Sequence, residues 1–202
     1  MNKKILASVL VIMLVSHVGF AAPILDIKQG ETNLGIQYSN PDMSGTFSGR
    51  IHAKGFYIET GLTDKWILGL QHGVANDTVI DTNQDSLQLE NKSTTLYVQY
   101  QIDKNFRLLT GKSFVKQTIS YSGVPVGSGS ENNFMYGVAA KTKLGHKLDG
   151  YAAWSKEKDT SEWGLGMSYD LTKDMKFFAS YSKSKTDGLE MKGFSFGLNH
   201  KF

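Results

Sequence analysis

Histidine, aspartate and serine are the residue types from which this chain could assemble hydrolytic chemistry. An imidazole held by a carboxylate can take a proton from a hydroxyl or a water. Of the five histidines, His17 lies in the apolar N-terminal run, His146 in a tight turn, and His72 and His200 at the apolar parity of their segments. His52 sits on a segment whose two faces the pattern does not separate. None has a serine or aspartate placed as an obvious inward partner for a nucleophile–base pair. One combination stands apart: a loop could bring Asp42 to His52 and form a rim site for lipid or peptide cleavage. The expectation is nevertheless a non-enzyme with surface or interfacial histidines.

Metal and thiol chemistry is thinner still. The chain has no cysteine, which excludes a thiolate ligand, a thiol nucleophile and a disulfide. Asp77, Asp81 and Asp85 fall in one polar stretch without a recurring ligand spacing, so a loosely held calcium is the alternative to no metal at all. No cofactor is expected. Asn91-Lys92-Ser93 matches a glycosylation acceptor only by chance.

The first residues belong to targeting rather than structure. Lys3 and Lys4 precede an apolar run over 5–15, and Gly19-Phe20-Ala21 supplies a small-x-small cleavage pattern. That combination is a secretory signal over 1–21, too short to cross a bilayer as a helix. Removing its two lysines lowers the formal charge from +3 to +1, which gives no electrostatic reason to bind nucleic acid. Residues 22–202 then form one domain.

That domain alternates with a period of two from end to end. Phe194, Phe196, Leu198, His200 and Phe202 alternate with Ser195, Gly197, Asn199 and Lys201. Trp163, Leu165, Met167, Tyr169 and Leu171 alternate with Gly164, Gly166, Ser168 and Asp170. Strand side chains point alternately to opposite faces, so each such segment has one apolar and one polar face. The pattern predicts ten strands, near 30–39, 49–60, 66–75, 88–102, 106–119, 132–143, 148–155, 162–171, 175–183 and 191–202. In the second, Ile51, Ala53 and Tyr57 compete with Phe56 and Ile58 for the apolar face.

Short turns at Thr63-Asp64-Lys65, Asp103-Lys104-Asn105, Gly145-His146-Lys147 and Thr172-Lys173-Asp174 alternate with longer polar links. Those links are expected at Ser39–Ser48, Asn76–Leu87, Ser120–Glu131, Ser155–Ser161 and Ser184–Glu190. Short-long alternation suits an up-and-down antiparallel transmembrane β-barrel of all-β class, with ten strands and eight as the alternative count. Aromatics on the apolar face fall at two heights. Trp66, Tyr100, Phe106, Tyr169 and Phe177 lie beside short turns, while Tyr38, Phe134, Tyr136, Trp154, Trp163 and Tyr181 lie towards the long links. Two belts of this kind are the girdles expected at bilayer interfaces.

An exported, cysteine-free chain of alternating strands ending in Phe202 resembles the Gram-negative-type outer-membrane β-barrel proteins. The resemblance implies residence in the outer membrane after export to the periplasm, contact with its lipid, and insertion by the barrel-assembly machinery. It also implies that Phe202, with Phe194, Phe196 and Leu198 before it, is the signal that machinery reads. A monomer is expected, with the outer loops as the surface for any extracellular partner.

Ten strands enclose little more than the eight-stranded case, in which side chains just fill the interior. Taking the polar parity as inward, the lumen holds Glu31, Glu59, Arg107, Lys141, Asp149, Asp170, Lys176 and Lys201, all near a short turn or a terminus. Opposite charges in so narrow a space must pair or carry a desolvation cost. Asp170 is expected opposite Lys176, and Glu31 is expected to meet Lys201 at the closing seam. The layer is read as a structural plug, giving a structural or surface-interaction barrel. The alternatives are a narrow porin-like channel for small hydrophilic solutes, with that layer as its selectivity constriction, and a rim-located enzyme.

Overall fold

The computed structural model describes residues 25–81, 85–186 and 188–202. The signal expected over 1–21 lies outside them. The described residues form twelve strands: β1 (Thr32–Ser39), β2 (Asp42–Gly45), β3 (Phe47–Arg50), β4 (Ala53–Gly61), β5 (Trp66–Asp81), β6 (Ser86–Gln101), β7 (Phe106–Tyr121), β8 (Val124–Lys143), β9 (Leu148–Glu157), β10 (Thr160–Asp170), β11 (Met175–Thr186) and β12 (Leu189–Lys201). Each pairs antiparallel with its neighbours, and β1 pairs with β12 to close the ring.

Twelve strands make ten staves. β1 pairs with β4 and β2 with β3, so β1–β2 and β3–β4 are two long strands that each break once. The breaks fall at Asn40-Pro41 and Ile51-His52, where proline removes a ladder donor. The hairpin stays joined across them through Ile51 N–H to the Pro41 carbonyl at 2.9 Å. Beyond the break, β2 pairs with β12 and β3 with β5, so the wall is continuous. The seam extends to the last residue, where Phe202 N–H donates to the Thr32 carbonyl at 2.8 Å.

Four of the connections are one turn repeated. The amides of Leu62, Ile102, Leu144 and Leu171 each donate to the carbonyl four residues on, at 2.8–3.0 Å. In three of them a side chain holds the bend. Thr63 Oγ1 accepts from Trp66 N–H, Asp103 Oδ1 from Phe106 N–H and Thr172 Oγ1 from Met175 N–H, at 3.0, 2.9 and 3.0 Å. Threonine and aspartate at these positions favour such turns for this reason. These turns, the first described residues and the C-terminus lie at one end of the barrel, called the terminal end below.

The opposite, distal end departs from expectation. The links expected at Asn76–Leu87 and Ser120–Glu131 are largely strand, because β5 to β8 continue for 16, 16, 16 and 20 residues. Those expected at Ser155–Ser161 and Ser184–Glu190 are largely taken up by β9 with β10 and by β11 with β12. The β7–β8 link shrinks to Ser122-Gly123, with φ of 50° and 77°, the conformation of a tight hairpin. The link expected at Ser39–Ser48 is the β2–β3 hairpin. Asp77 and Asp81 accordingly lie in β5, not in a loop.

The cause is an exchange of faces. Along most of each stave the inward parity is polar or small and the outward parity apolar. In the distal part, the inward positions Val79, Leu87, Leu89 and Ile119 are apolar and buried, while Asn76, Gln88, Glu90 and Lys116 point outward and are exposed. Such a wall suits water outside and a packed core inside. It also explains the ambiguous second segment, whose two faces are both apolar because it crosses the exchange. Ile51, Ala53 and Tyr57 turn inward; Phe56 and Ile58 turn outward.

Candidate functional site: three inward-facing layers

At the terminal end the chain's own N-terminal segment enters the mouth. Leu25 and Ile27 are buried against Ile67, and Gly30 N–H donates to the Gly61 carbonyl at 2.9 Å. The charged side chains gather around this segment. Lys201 Nζ lies 3.2 Å from Glu31 across the seam. Lys176 lies opposite Asp170 in register, 2.8 Å from it and 3.0 Å from Asp149. Lys141 pairs with Asp26 of the entering segment. The Lys28 amide and the Lys201 ammonium hold the Glu31 carboxyl below the usual carboxylate range.

Glu59 and Arg107 sit deeper and form no direct ion pair. Glu59 accepts from Tyr97 Oη at 3.0 Å and Gln99 Nε2 at 2.5 Å. Arg107 donates to Gln99 Oε1 at 2.9 Å and to the Leu25 carbonyl. Gln99 therefore bridges the buried acid to the buried base, and the guanidinium ties the wall to the entering segment. Six of the eight charges are thus ion-paired, and Glu59 and Arg107 are linked only through Gln99.

The middle layer is aromatic. Tyr57, Tyr97, Tyr151 and Phe178 turn inward and are buried. Each lies directly across the strands from a glycine: Tyr57 from Gly35, Tyr97 from Gly69, Tyr151 from Gly166 and Phe178 from Gly197. A Cβ at Gly35 would come within 2.1 Å of the Tyr57 ring, and one at Gly69 within 2.3 Å of the Tyr97 ring. Each ring covers the position a glycine Cβ would take, the arrangement by which aromatics cover strand glycines. Sequence reasoning did not single out these four rings. The available signal was an aromatic at the polar parity whose cross-strand partner is glycine, visible only once the hairpins are set in register.

Between this layer and the distal end the lining is polar, with Thr95 Oγ1 3.0 Å from Ser113 Oγ and Ser113 donating to Glu157 at 3.3 Å. The distal layer is an apolar core. Met43 and Phe47 of the β2–β3 hairpin pack with Val79, Leu89, Ile119 and Met191.

The rim pair differs from the expected one. Asp42 binds Arg50 at 2.9 Å, whereas His52 Nδ1 lies 2.8 Å from Asp77 Oδ1 and His52 N–H donates to the same carboxylate. Asp77 stands opposite the break between β3 and β4 and satisfies an amide that the interrupted ladder leaves without a strand partner. Among the described residues, no group of three histidines or acids is placed to hold a metal ion. His72 bonds Thr94 at 2.9 Å on the outer face, and His200 packs on Phe202.

The exterior carries the aromatics. Trp66, Phe106, Tyr169 and Phe177 are exposed near the terminal end with Tyr100, and Trp66 meets Tyr100 at a tilt with centroids 4.8 Å apart. Further along, Phe134, Tyr136, Trp154 and Trp163 are exposed. Tyr136 meets Trp154, Trp163 meets Tyr181, and Tyr38 meets Phe196 at 6.0, 6.1 and 5.3 Å. Phe194, Phe196, Leu198 and Phe202 form the outward edge of β12 and the C-terminus. Leu34, Ile36, Leu68, Leu96, Leu108 and Val138 fill the band between. So large an exposed apolar surface is foreign to water-soluble monomers.

Comparison with solved structures bears on the same feature. The translocator domain of autotransporter NalP from Neisseria meningitidis is similar over 86% of this chain and 89% of that one, with a TM-score of 0.59 at 11% identity. The β domain of the Bordetella autotransporter BrkA is similar over 86% and 99%, with a TM-score of 0.53 at 11% identity. The fold is that of an outer-membrane β-barrel. In an outer-membrane barrel the band of leucines and valines faces hydrocarbon and the closed seam leaves no edge unpaired. No protein-family model matches the sequence, and no curated relative matches it.

Proposed function

We propose that this barrel is a closed structural component of the outer membrane, with its terminal end in the periplasm and its distal end outside the cell. What supports this reading is that buried inward side chains gather at three levels of the barrel. The segment from Leu25 to Glu31 enters one mouth, four rings lie over glycines at mid-height, and an apolar core occupies the other end. A solute crossing such a barrel would have to displace paired charges and packed rings alike. The paired residues from Glu31 to Lys201 then act as a plug, the two aromatic belts as interfacial anchors, and Phe202 with Phe194, Phe196 and Leu198 as the assembly signal. The distal hairpins are left as the surface for contact with partners outside the cell.

Single-channel recording of the full mature chain in planar bilayers tests this. The expected result is silence, with steady openings above a few tens of picosiemens (order of magnitude) rejecting it in favour of a narrow pore.

A rim-located hydrolase is the second reading, and His52 hydrogen-bonded to Asp77 is the observation that favours it. Its test is a turnover assay on lipid and peptide substrates with the wild type and His52→Ala. Activity lost in the variant would support it, and activity that is absent or unchanged would reject it.

A further inference from the structure

The outer face of the wall carries a charge pattern that the closed lumen does not use. On five staves a lysine stands one outward position distal to an outward aromatic. Lys54 follows Phe56 in this way, Lys116 follows Phe114 and Lys156 follows Trp154. On β11 and β12, Lys183 and Lys192 do the same beside Tyr181 and Phe194. Two cross-strand pairs set like charges directly opposite each other on this face, Lys92 of β6 against Lys116 and Lys183 against Lys192. Directly opposed like charges destabilise a sheet. Glu90 and Glu190 offset them only in part, with Glu90 2.7 Å from Lys92, and Glu190 2.7 Å from Lys183 and 3.8 Å from Lys192. Asp42, opposite Lys192 in register, is the other exposed acid beside this row, and Arg50 pairs with it at 2.9 Å. The acids Glu131, Glu157 and Glu162 face inward on the same part of the wall, so the positive charge is concentrated on the outer surface.

Below this row, the outer face of β5 to β9 is hollowed into an open apolar groove of about 540 Å³. Trp66 and Tyr100 bound its terminal end, and Leu108, Val138, Tyr136 and Trp154 line the rest, over Thr110 and Gly137. Two lysines stand at its distal end. Lys112 is the next outward residue beyond Thr110, and Lys156 is the next beyond Trp154 and directly opposite Tyr136. A channel lined by leucine, valine and aromatic rings and headed by ammonium groups is complementary to a molecule with a hydrocarbon tail and an anionic head. The girdle places that head at the depth of lipid phosphates, where each basic residue adds to the attraction.

We propose that this groove binds an acylated, phosphate-bearing lipid of the leaflet at the distal end, its acyl chain along the groove and its phosphate on Lys112 and Lys156. The remaining lysines of the row extend the same contact around the barrel. This rests on the membrane placement proposed above and is independent of whether the lumen conducts.

The test is native mass spectrometry of the full mature barrel in detergent micelles. It is titrated with dioleoyl phosphatidic acid, with dioleoylglycerol, which has the same tails and no phosphate, and with inorganic phosphate alone. Insertion of each variant into vesicles is checked first. Phosphatidic acid should be retained about tenfold or more above dioleoylglycerol, and Lys112→Gln/Lys156→Gln should lower its retention by about tenfold. Lys147→Gln/Lys173→Gln, in turns at the other end, should leave it unchanged, and excess inorganic phosphate should not displace it. Equal retention of the two lipids, or an inserted double variant that binds like wild type, overturns the lipid site. Displacement by phosphate alone overturns the acyl groove and leaves a free-anion site. A wild-type chain that does not insert overturns the membrane placement instead.

Discussion

The terminal and distal parts of this barrel are built from the same alternating strands and solve opposite problems. Over the terminal part, Leu68, Leu96 and Leu108 look outward, while Asn33, Gln99 and Arg107 are buried inside. Over the distal part, Gln88, Glu90 and Lys116 look outward, while Val79, Leu89 and Ile119 are buried inside. One continuous strand such as β6 carries both arrangements without a change of register. Backbone alternation decides which residues share a face, and the solvent outside decides which face must be apolar. Lipid calls for one answer and water for the other, so the wall records where the membrane stops.

The comparison breaks most sharply with a charge in the distal core. Val79→Asp would place a carboxylate in an apolar layer with no cation beside it, at a cost of about 3–5 kcal/mol. Gln88→Asp, on the outer face nearby, should stay within about 0.5 kcal/mol of wild type. Urea unfolding in micelles reads both, and equal losses would mean that the distal wall does not separate water from a packed core.

The middle layer gives a smaller effect. Gly35→Ala drives a methyl group into the Tyr57 ring and should cost about 1–3 kcal/mol. In the Tyr57→Ala background the same change should cost less than half of that, since the ring is no longer there to meet. Additive losses in this double-mutant cycle would show that the ring and the glycine do not fit together.

At the terminal mouth the effect is smaller again and depends on pH. The carboxyl of Glu31 titrates below its ordinary range in the folded chain, chiefly through the Lys28 amide and then through Lys201. Its contribution is therefore complete above the ordinary carboxylate range and fades as pH falls through that range towards the folded value. Because the pair is partly exposed, Lys201→Gln should lower stability by no more than about 1 kcal/mol near neutral pH. The difference from wild type should shrink in acid. A gap that is constant from neutral to acid pH would remove Glu31 from the account.

Much of this architecture was legible without coordinates, for a physical reason. The four tight turns are marked by threonine, aspartate and glycine at the bends, and the terminal halves of the strands carry a strict polarity alternation. The placements of Asp170 against Lys176 and of Glu31 against Lys201 follow from turn length and from joining the first and last strands.

The distal extension was hidden because Asn76, Thr78 and Ser120 read as loop residues if the outside is assumed to be lipid throughout. The partner of His52 was hidden because Asp42 is near in sequence, whereas Asp77 is near only through strand register across the interrupted hairpin. The inward rings were hidden because an aromatic at the polar parity looks like an exception until its cross-strand glycine is known.

The exchange of faces can be measured directly, and the absence of cysteine makes the chain well suited to it. Single cysteines at the outward positions Leu108, Phe114, Thr118 and Ser120 of β7 would carry nitroxide labels in lipid vesicles. Their collision rates with oxygen, which concentrates in hydrocarbon, would be compared with those for a water-soluble nickel complex. The structure predicts oxygen-dominated collisions at Leu108, nickel-dominated collisions at Thr118 and Ser120, and intermediate values at Phe114, with the crossover between Lys112 and Lys116. Oxygen dominance continuing to Ser120, or nickel dominance already at Leu108, would contradict it.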